Sequence, residues 1–107
     1  MIYRHTKQGL LNRLYNKQLY RTKIKNLPPV AYTFKEFMYW IEQHDDRFLL
    51  LFLNWQFWNY PKDLTPSIDR LDPTKGYALD NIQLVTWEYN NEKGNRERNI
   101  SLGRKIK

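Results

Sequence analysis

The sequence predicts an α+β fold in which N-terminal helices pack on a C-terminal strand–strand–helix unit. Apolar residues recur at helical spacing through residues 1–60, whereas residues 64–98 contain two short strand-like stretches, a turn between them and a further helix. A chain of 107 residues is long enough for one modest hydrophobic core and too short for two. We therefore expect a single domain over residues 1–107, in which residues 99–107 form a basic tail.

The first predicted helix covers residues 7–26, with Thr6 as its N-cap, and ends before Pro28 because proline disfavours helix in the residue before it. Its apolar face is predicted from residues at helical spacing, which are Leu10, Leu11, Leu14, Tyr15, Gln18 and Leu19. Away from most of that face lies a basic stripe of Arg13, Lys17, Arg21 and Lys25. Like charges at this spacing repel each other, so the stripe is either a solvated outer surface or a surface that binds a phosphate backbone.

Two further helices are predicted before residue 60. Thr33 and Glu36 have the spacing of a capping box, so the second helix should begin at Phe34. The chain should break or bend at His44. Residues 48–53 and the aromatic residues that follow them are apolar on all sides of a helix, so we predict that this third helix is buried at the centre of the core.

Two strands and a helix are predicted in the C-terminal part. Residues 66–71 form the first strand, residues 72–76 carry a strong turn signal, and residues 81–85 form the second strand. Thr86 is the predicted N-cap of a helix that runs from Trp87 to about residue 98.

Charge is segregated along the chain, whose net charge is +7. Residues 1–27 carry seven basic and no acidic side chains, residues 28–92 carry five basic and ten acidic ones, and residues 93–107 carry six basic ones and one acidic one. Basic ends also occur in proteins that bind no nucleic acid, but this segregation favours a polyanionic partner.

The composition argues against several classes of protein. The chain has no cysteine, which excludes a disulfide framework and a cysteine-based zinc site, and its only histidines are His5 and His44, too few for a histidine-rich metal site. No apolar run approaches the length of a membrane span, and the basic N-terminus is not followed by the apolar core of a signal peptide. We therefore expect a soluble cytoplasmic protein.

Polar residues of the C-terminal unit predict a metal site. Asp69 ends the first strand, Asn81 begins the second, and Asn90 and Asn91 occupy the start of the last helix, although asparagine is a poor helix former. A hard cation such as Mg²⁺ prefers oxygen ligands of this kind and completes its coordination with water and phosphate. Aspartate at strand ends and asparagine at helix starts also serve as turn and cap residues, so both interpretations stay open from the residues alone.

The segment PSIDRLDPTKGYALDNIQLVTWEYNNEKG, residues 66–94, resembles the ββα-metal motif of HNH endonucleases, in particular small HNH-like proteins and homing endonucleases of bacteriophages. The preceding segments GLLNRLYNKQ and PPVAYTFKEFMYW resemble what precedes the motif in those proteins. The resemblance implies a metal-dependent endonuclease that uses Mg²⁺ or Mn²⁺ and cleaves or nicks double-stranded DNA in the cytoplasm of a phage-infected bacterium. It leaves the target sequence open, as well as the choice between a monomer and a homodimer.

By position, the resemblance implies roles for individual residues. Asp69 falls on the metal ligand of the first strand, Arg70 on the general-base histidine, and Asn81 on the asparagine that orients that histidine. The last metal ligand falls on Asn90, with Asn91 as an alternative register. Phosphate contacts to DNA are expected from basic residues of the first helix, the turn and the last helix, which are Arg13, Lys17, Arg21, Lys25, Lys75, Lys93, Arg96 and Arg98.

The arginine at position 70 departs from the motif, because a guanidinium is always protonated and cannot act as a base. Water could be activated by the metal or by another residue, while Arg70 holds phosphate or transition-state charge. Alternatively, the enzyme is slow, or the chain binds DNA in a regulatory role without cleaving it. A small protein that binds a host protein through its aromatic surface is the third hypothesis.

Overall fold

In the computed structural model, which describes residues 2–101 and the side chains of residues 2–96, the helices come first and the sheet follows. The helices are α1 (Lys7–Ile24), α2 (Phe34–Gln43), α3 (Asp45–Phe57) and α4 (Trp87–Ser101), the strands are β1 (Pro66–Arg70) and β2 (Ile82–Thr86), and single 3₁₀ turns cover Tyr3–His5 and Lys62–Leu64. Over these residues the predicted α+β fold class is confirmed. The greater part of the predicted basic tail lies outside the described residues.

Side-chain caps fix where the helices begin. Thr6 Oγ1 accepts a hydrogen bond of 3.1 Å from the backbone N–H of Gly9, and Thr33 and Glu36 form the predicted capping box. Thr86 Oγ1 likewise accepts a backbone N–H in the first turn of α4. These bonds satisfy backbone N–H groups that have no partner within the helix. The three threonines therefore fix the helix starts at the predicted positions.

The end of α1 and the start of α3 differ from their predicted positions by two and three residues. Helix α1 ends at Ile24, because Asn26 adopts a left-handed conformation with φ of 52° and the Leu27 N–H donates to the Thr22 carbonyl at 3.0 Å. This is a common way for a helix to satisfy its last carbonyls. Helix α3 begins earlier than predicted, at Asp45, directly after the predicted break at His44.

The two strands pair antiparallel, with Asp69 opposite Gln83 and Arg70 opposite Ile82. Between them, residues 71–81 form a long loop whose ends are joined by a hydrogen bond of 2.9 Å from the Leu71 N–H to the Asn81 carbonyl. The Trp87 N–H donates to the Thr65 carbonyl at 2.8 Å and so ties the start of α4 to the start of β1. As a result, the end of β1 faces the first turns of α4.

The core lies between α1, α2, α3 and the sheet. Its buried apolar residues are Leu10, Leu11, Leu14, Tyr32, Phe37, Trp40, Ile41, Phe48, Leu51, Trp55, Ile68, Tyr77, Ile82 and Leu84. The Tyr32 hydroxyl donates to the Gln18 side chain, and burial raises the pKa of Tyr32, which keeps the hydroxyl protonated as a donor. This bond fixes α1 against the segment that precedes α2.

The prediction that α3 is buried on all sides is wrong. Phe48, Leu51 and Trp55 face the core and Phe52 is partly buried against it, whereas the remaining apolar residues of this segment are exposed, namely Leu49, Leu50, Leu53, Phe57 and Trp58. A two-stranded sheet and two neighbouring helices cover only one side of α3, so its outer face has nothing to pack against among the described residues. Leu19 on α1 is exposed for the same kind of reason, contrary to its predicted place in the apolar face. No helix within residues 2–101 is both long enough and apolar enough to cross a membrane.

Replacing Trp55 by alanine should lower the free energy of unfolding by about 3–5 kcal/mol, because the change removes a buried aromatic ring and leaves a cavity. Phe57 on the same helix is the matched control, since it is 77% exposed, and Phe57→Ala should change the free energy by less than about 0.5 kcal/mol. Urea denaturation followed by circular dichroism measures both variants. Equal losses would contradict the assignment of a single buried face to α3.

Candidate functional site

A cavity of about 200 Å³ lies between α1, the end of β1, the loop after β1 and the first turns of α4. It brings together most of the residues to which the resemblance gives a role. Those that line it are Asp69, Arg70, Asn90 and Asn91, with Arg21, Lys25 and Lys93 beside them. Other residues predicted for the site or for DNA contacts do not line it, namely Asn81, Arg13, Lys17, Lys75 and Arg96. The side chain of Arg98 lies outside the described residues.

Asp69 is the buried carboxylate of this cavity, with 6% of the residue exposed. Its Oδ2 accepts hydrogen bonds of 2.8 Å from the Gln83 side chain and from the Lys93 Nζ. The Lys93 ammonium also donates to the Arg70 carbonyl at 2.7 Å. An ionised carboxylate is stable in such a buried position only with a counter-charge and hydrogen bonds, and Lys93 and Gln83 provide both.

Asn90 is anchored on β1 through its amide nitrogen, which donates to the Ser67 hydroxyl and to the Ile68 carbonyl, both at 3.3 Å. These contacts leave the amide oxygen as the atom with which the side chain can bind a cation. Asn91 is exposed and also lines the cavity. Both registers predicted for the last metal ligand therefore face the same cavity, and Asn90 is the better positioned of the two.

Arg70 is fixed by the loop that follows it. Its Nη1 donates to the carbonyls of Pro73 and Lys75 at 2.8 and 2.9 Å, and its guanidinium lies 5.5 Å from the centre of the Tyr77 ring. The side chain is half-buried and lines the cavity, so its positive charge is held at a defined place. This position suits the binding of an anion and offers nothing that could accept a proton.

Asn81 is buried beneath the loop and holds it closed. Its Oδ1 accepts from the Asp72 N–H at 2.8 Å, and its Nδ2 donates to the carbonyls of Asp72 and Gly76 at 3.2 and 2.9 Å. The loop held in this way carries the two carbonyls that bind Arg70. Asn81 therefore acts on the cavity indirectly, by fixing the loop that orients Arg70.

A second set of bonds shapes the start of the same loop. The Asp72 carboxylate accepts from the hydroxyl and the N–H of Thr74 at 2.6 and 2.9 Å. These bonds, chiefly the one from the hydroxyl, lower the pKa of Asp72, and Lys75 and Arg70 add a smaller effect of the same sign. The Asp72 carboxylate thus forms its hydrogen bonds within the turn, and Asp69 is the carboxylate that faces the cavity.

Sequence reasoning missed the partners of Asp69. Lys93 was assigned to DNA contacts, yet the structure pairs it with Asp69. It follows Asn90 by three residues in α4, a spacing that puts two side chains on the same face of a helix, so the signal was present in the sequence. Gln83 lies directly across from Asp69 in the register of the two strands, and that register is not readable from the sequence.

The described residues contain no group of three or more His, Cys, Asp or Glu side chains that could hold a metal ion. Any metal in this cavity would rely on the Asp69 carboxylate, on amide oxygens such as that of Asn90, and on ligands that are not protein side chains. Comparisons with models of protein families, with curated proteins and with solved structures give no match to this chain. The chemistry of the cavity therefore carries the functional argument by itself.

Asn81→Ala should lower the free energy of unfolding by roughly 1–3 kcal/mol, because the change removes three hydrogen bonds at a buried position. Amide hydrogen exchange at Asp72 should become faster, since its N–H donates to the Asn81 Oδ1, which the substitution removes. The same substitution at the exposed Asn91 is the control and should leave stability and exchange nearly unchanged. If the two variants are equally stable, Asn81 does not hold the loop.

Proposed function

We propose that this chain is a metal-dependent DNA endonuclease of the HNH type that hydrolyses phosphodiester bonds with Mg²⁺ or Mn²⁺. The observation that carries the proposal is the lining of one cavity by Asp69 and Asn90 together with Arg21, Lys25 and Arg70. Oxygen donors for a hard cation thus lie among groups that bind phosphate. This combination suits phosphodiester hydrolysis, because a metal and nearby cations can stabilise the negative charge that builds up on the phosphate.

The donor atoms fit a hard divalent cation. Asp69 would offer its carboxylate and Asn90 its amide oxygen, and both are oxygen ligands of the kind that Mg²⁺ uses beside water and substrate phosphate. Since Asp69 Oδ2 already binds Lys93 and Gln83 at 2.8 Å, the metal must share this carboxylate with Lys93 or displace it. A bound cation would neutralise charge on the phosphate and lower the pKa of an attacking water.

The residues of this chain have separate tasks in the proposed reaction. Arg70 and Arg21 hold the phosphate in the cavity, and the carbonyls of the loop keep the Arg70 guanidinium in place. Among the described residues that line the cavity, Asp69 is the sole carboxylate and there is no histidine. General-base catalysis by a side chain is therefore not built into this cavity, which makes activation of the water by the cation the best supported route.

A second candidate function is a DNA-binding or regulatory protein that keeps the same scaffold and does not cleave. The Lys93 ammonium at 2.8 Å from Asp69 favours this alternative, because it occupies the carboxylate that a metal would need. In this case DNA binding should survive EDTA and the change Asp69→Asn. Neutralising Arg13, Lys17 and Arg21 together should weaken DNA binding and make the affinity less dependent on the salt concentration.

The test of the endonuclease is cleavage of supercoiled plasmid in the presence of Mg²⁺ or Mn²⁺, with EDTA as the blank. Asp69→Asn and Asn90→Ala should each lower the rate on the order of 100-fold, a loss typical of removing one electrostatic partner of a transition state. Asn54→Ala, at an exposed position of α3 outside the cavity, is the matched control and should cleave like the wild type.

Comparison of Asn90→Ala with Asn91→Ala decides the register of the second ligand, because the larger loss identifies the residue that serves the site. Plasmid that is cut equally well by the wild type and by Asp69→Asn would refute the proposed centre. If the wild type leaves the plasmid intact but binds it in EDTA, this result would instead establish the DNA-binding alternative.

A further inference from the structure

A second, larger groove lies beside α1, next to the candidate site. It has a volume of about 690 Å³ and is formed by the 3₁₀ turn Tyr3–His5, α1, the 3₁₀ turn Lys62–Leu64, the start of β1 and the first residue of α4. None of the residues expected at the metal site lines it. A cavity of this size exceeds what the hydrolytic centre needs and falls in the range of ligand-binding pockets.

The groove is strongly basic. Arg4, Arg13, Lys17 and Lys62 line it, and none of the described residues that line it is acidic. Burial and then repulsion by Arg21, Arg13 and Lys62 lower the pKa of Lys17, while burial and then repulsion by Arg4 lower the pKa of Arg13. These cations therefore repel one another in the free protein, and an anion in the groove would relieve the repulsion.

The groove continues into the candidate site. Lys17 lines both the groove and a narrow cleft beside α1, and Arg21 lines both that cleft and the candidate site. Trp87 lines the groove and the candidate site directly. The basic stripe of α1 therefore borders the groove, the cleft and the candidate site in turn.

Aromatic rings complete the groove. Tyr20 is 63% exposed, and Trp87 is half-buried with the Lys62 Nζ 4.5 Å from the centre of its ring. Tyr60 stacks on His5 with ring centres 3.8 Å apart, and it holds this place with a φ of 62°, a left-handed conformation that is unusual for tyrosine. The rings of Tyr60 and Trp87 are thus held in contact with neighbouring side chains, and the Tyr20 ring is exposed beside them.

We propose that this groove is a second nucleic-acid subsite, which binds an unpaired DNA strand that flanks the phosphodiester in the candidate site. The inference rests on the proposed function, which makes DNA the ligand. It adds the place where the substrate strand runs and that this part of the strand is unpaired. A basic groove lined with aromatic side chains binds single strands, because cations follow the phosphates while bases stack on the rings. In a duplex the faces of the bases are covered by their neighbours, so Tyr20 and Trp87 would have nothing to stack on.

The test uses the full chain in EDTA, where no cleavage occurs, and compares three fluorescently labelled DNAs by anisotropy. These are a blunt duplex, the same duplex with a single-stranded tail, and the same duplex with a tail of abasic sites of equal length, with tails on either strand. The tailed duplex should bind about tenfold more tightly than the blunt one, with the abasic tail between them, because it keeps the phosphates and lacks the stacking bases.

Exposed residues of the groove serve as variants, so that folding is preserved and can be checked by circular dichroism. Arg4→Glu combined with Lys62→Glu should remove the preference for the tail, and Tyr20→Ala should reduce the difference between the base-bearing and abasic tails. Lys23→Glu is the matched control, since Lys23 is an exposed cation of α1 that does not line the groove. It should weaken binding to all three DNAs alike and keep the tail preference.

Equal affinity for tailed and blunt duplexes would overturn the inference, and so would a tail preference that survives in the Arg4 and Lys62 double variant. If the protein cleaves plasmid but shows no tail preference, the proposed function stands and the subsite is refuted. If the protein binds none of these DNAs, both proposals are refuted.

Discussion

The site depends on one constraint, which is the burial of a single carboxylate at the end of a strand. Asp69 is almost fully enclosed, and the fold provides Lys93 and Gln83 as its partners from α4 and β2. Removing one partner from a buried ion pair leaves an uncompensated charge, so the three elements must meet in one arrangement. The hairpin register brings Gln83 to Asp69, and the docking of α4 on β1 brings Lys93 to it.

Cations surround this carboxylate on the side of α1. The stripe of that helix borders the candidate site at Arg21 and Lys25 and the large groove at Arg13 and Lys17. A surface of this charge attracts a polyanion at long range, whereas the single carboxylate marks the place where a cation could join it. Among the described residues that line the candidate site, Asp69 is thus the one carboxylate beside several cations, an arrangement that accords with the proposed function.

Sequence reasoning located the elements well, because helix starts depend on local chemistry. Thr6, Thr33 and Thr86 each form the cap that their neighbours in the sequence indicate. It failed for α3, since an apolar helix is buried only where other elements cover it, and coverage is a tertiary property. The three-residue spacing of Asn90 and Lys93 on α4 indicates that Lys93 lies near Asp69. The bonds of Asn81 depend on the conformation of the loop over residues 71–81, which has no periodic pattern in the sequence.

On the proposed function, a divalent cation shares the Asp69 carboxylate with Lys93 or displaces Lys93 from it. The most direct measurement is the thermal unfolding temperature of the wild type, Lys93→Met and Asp69→Asn as Mn²⁺ is added. Because a ligand stabilises the state that binds it, Mn²⁺ should raise the unfolding temperature of Lys93→Met more than that of the wild type, and leave Asp69→Asn unchanged. Equal shifts in all three proteins, or no shift in any, would contradict the claim.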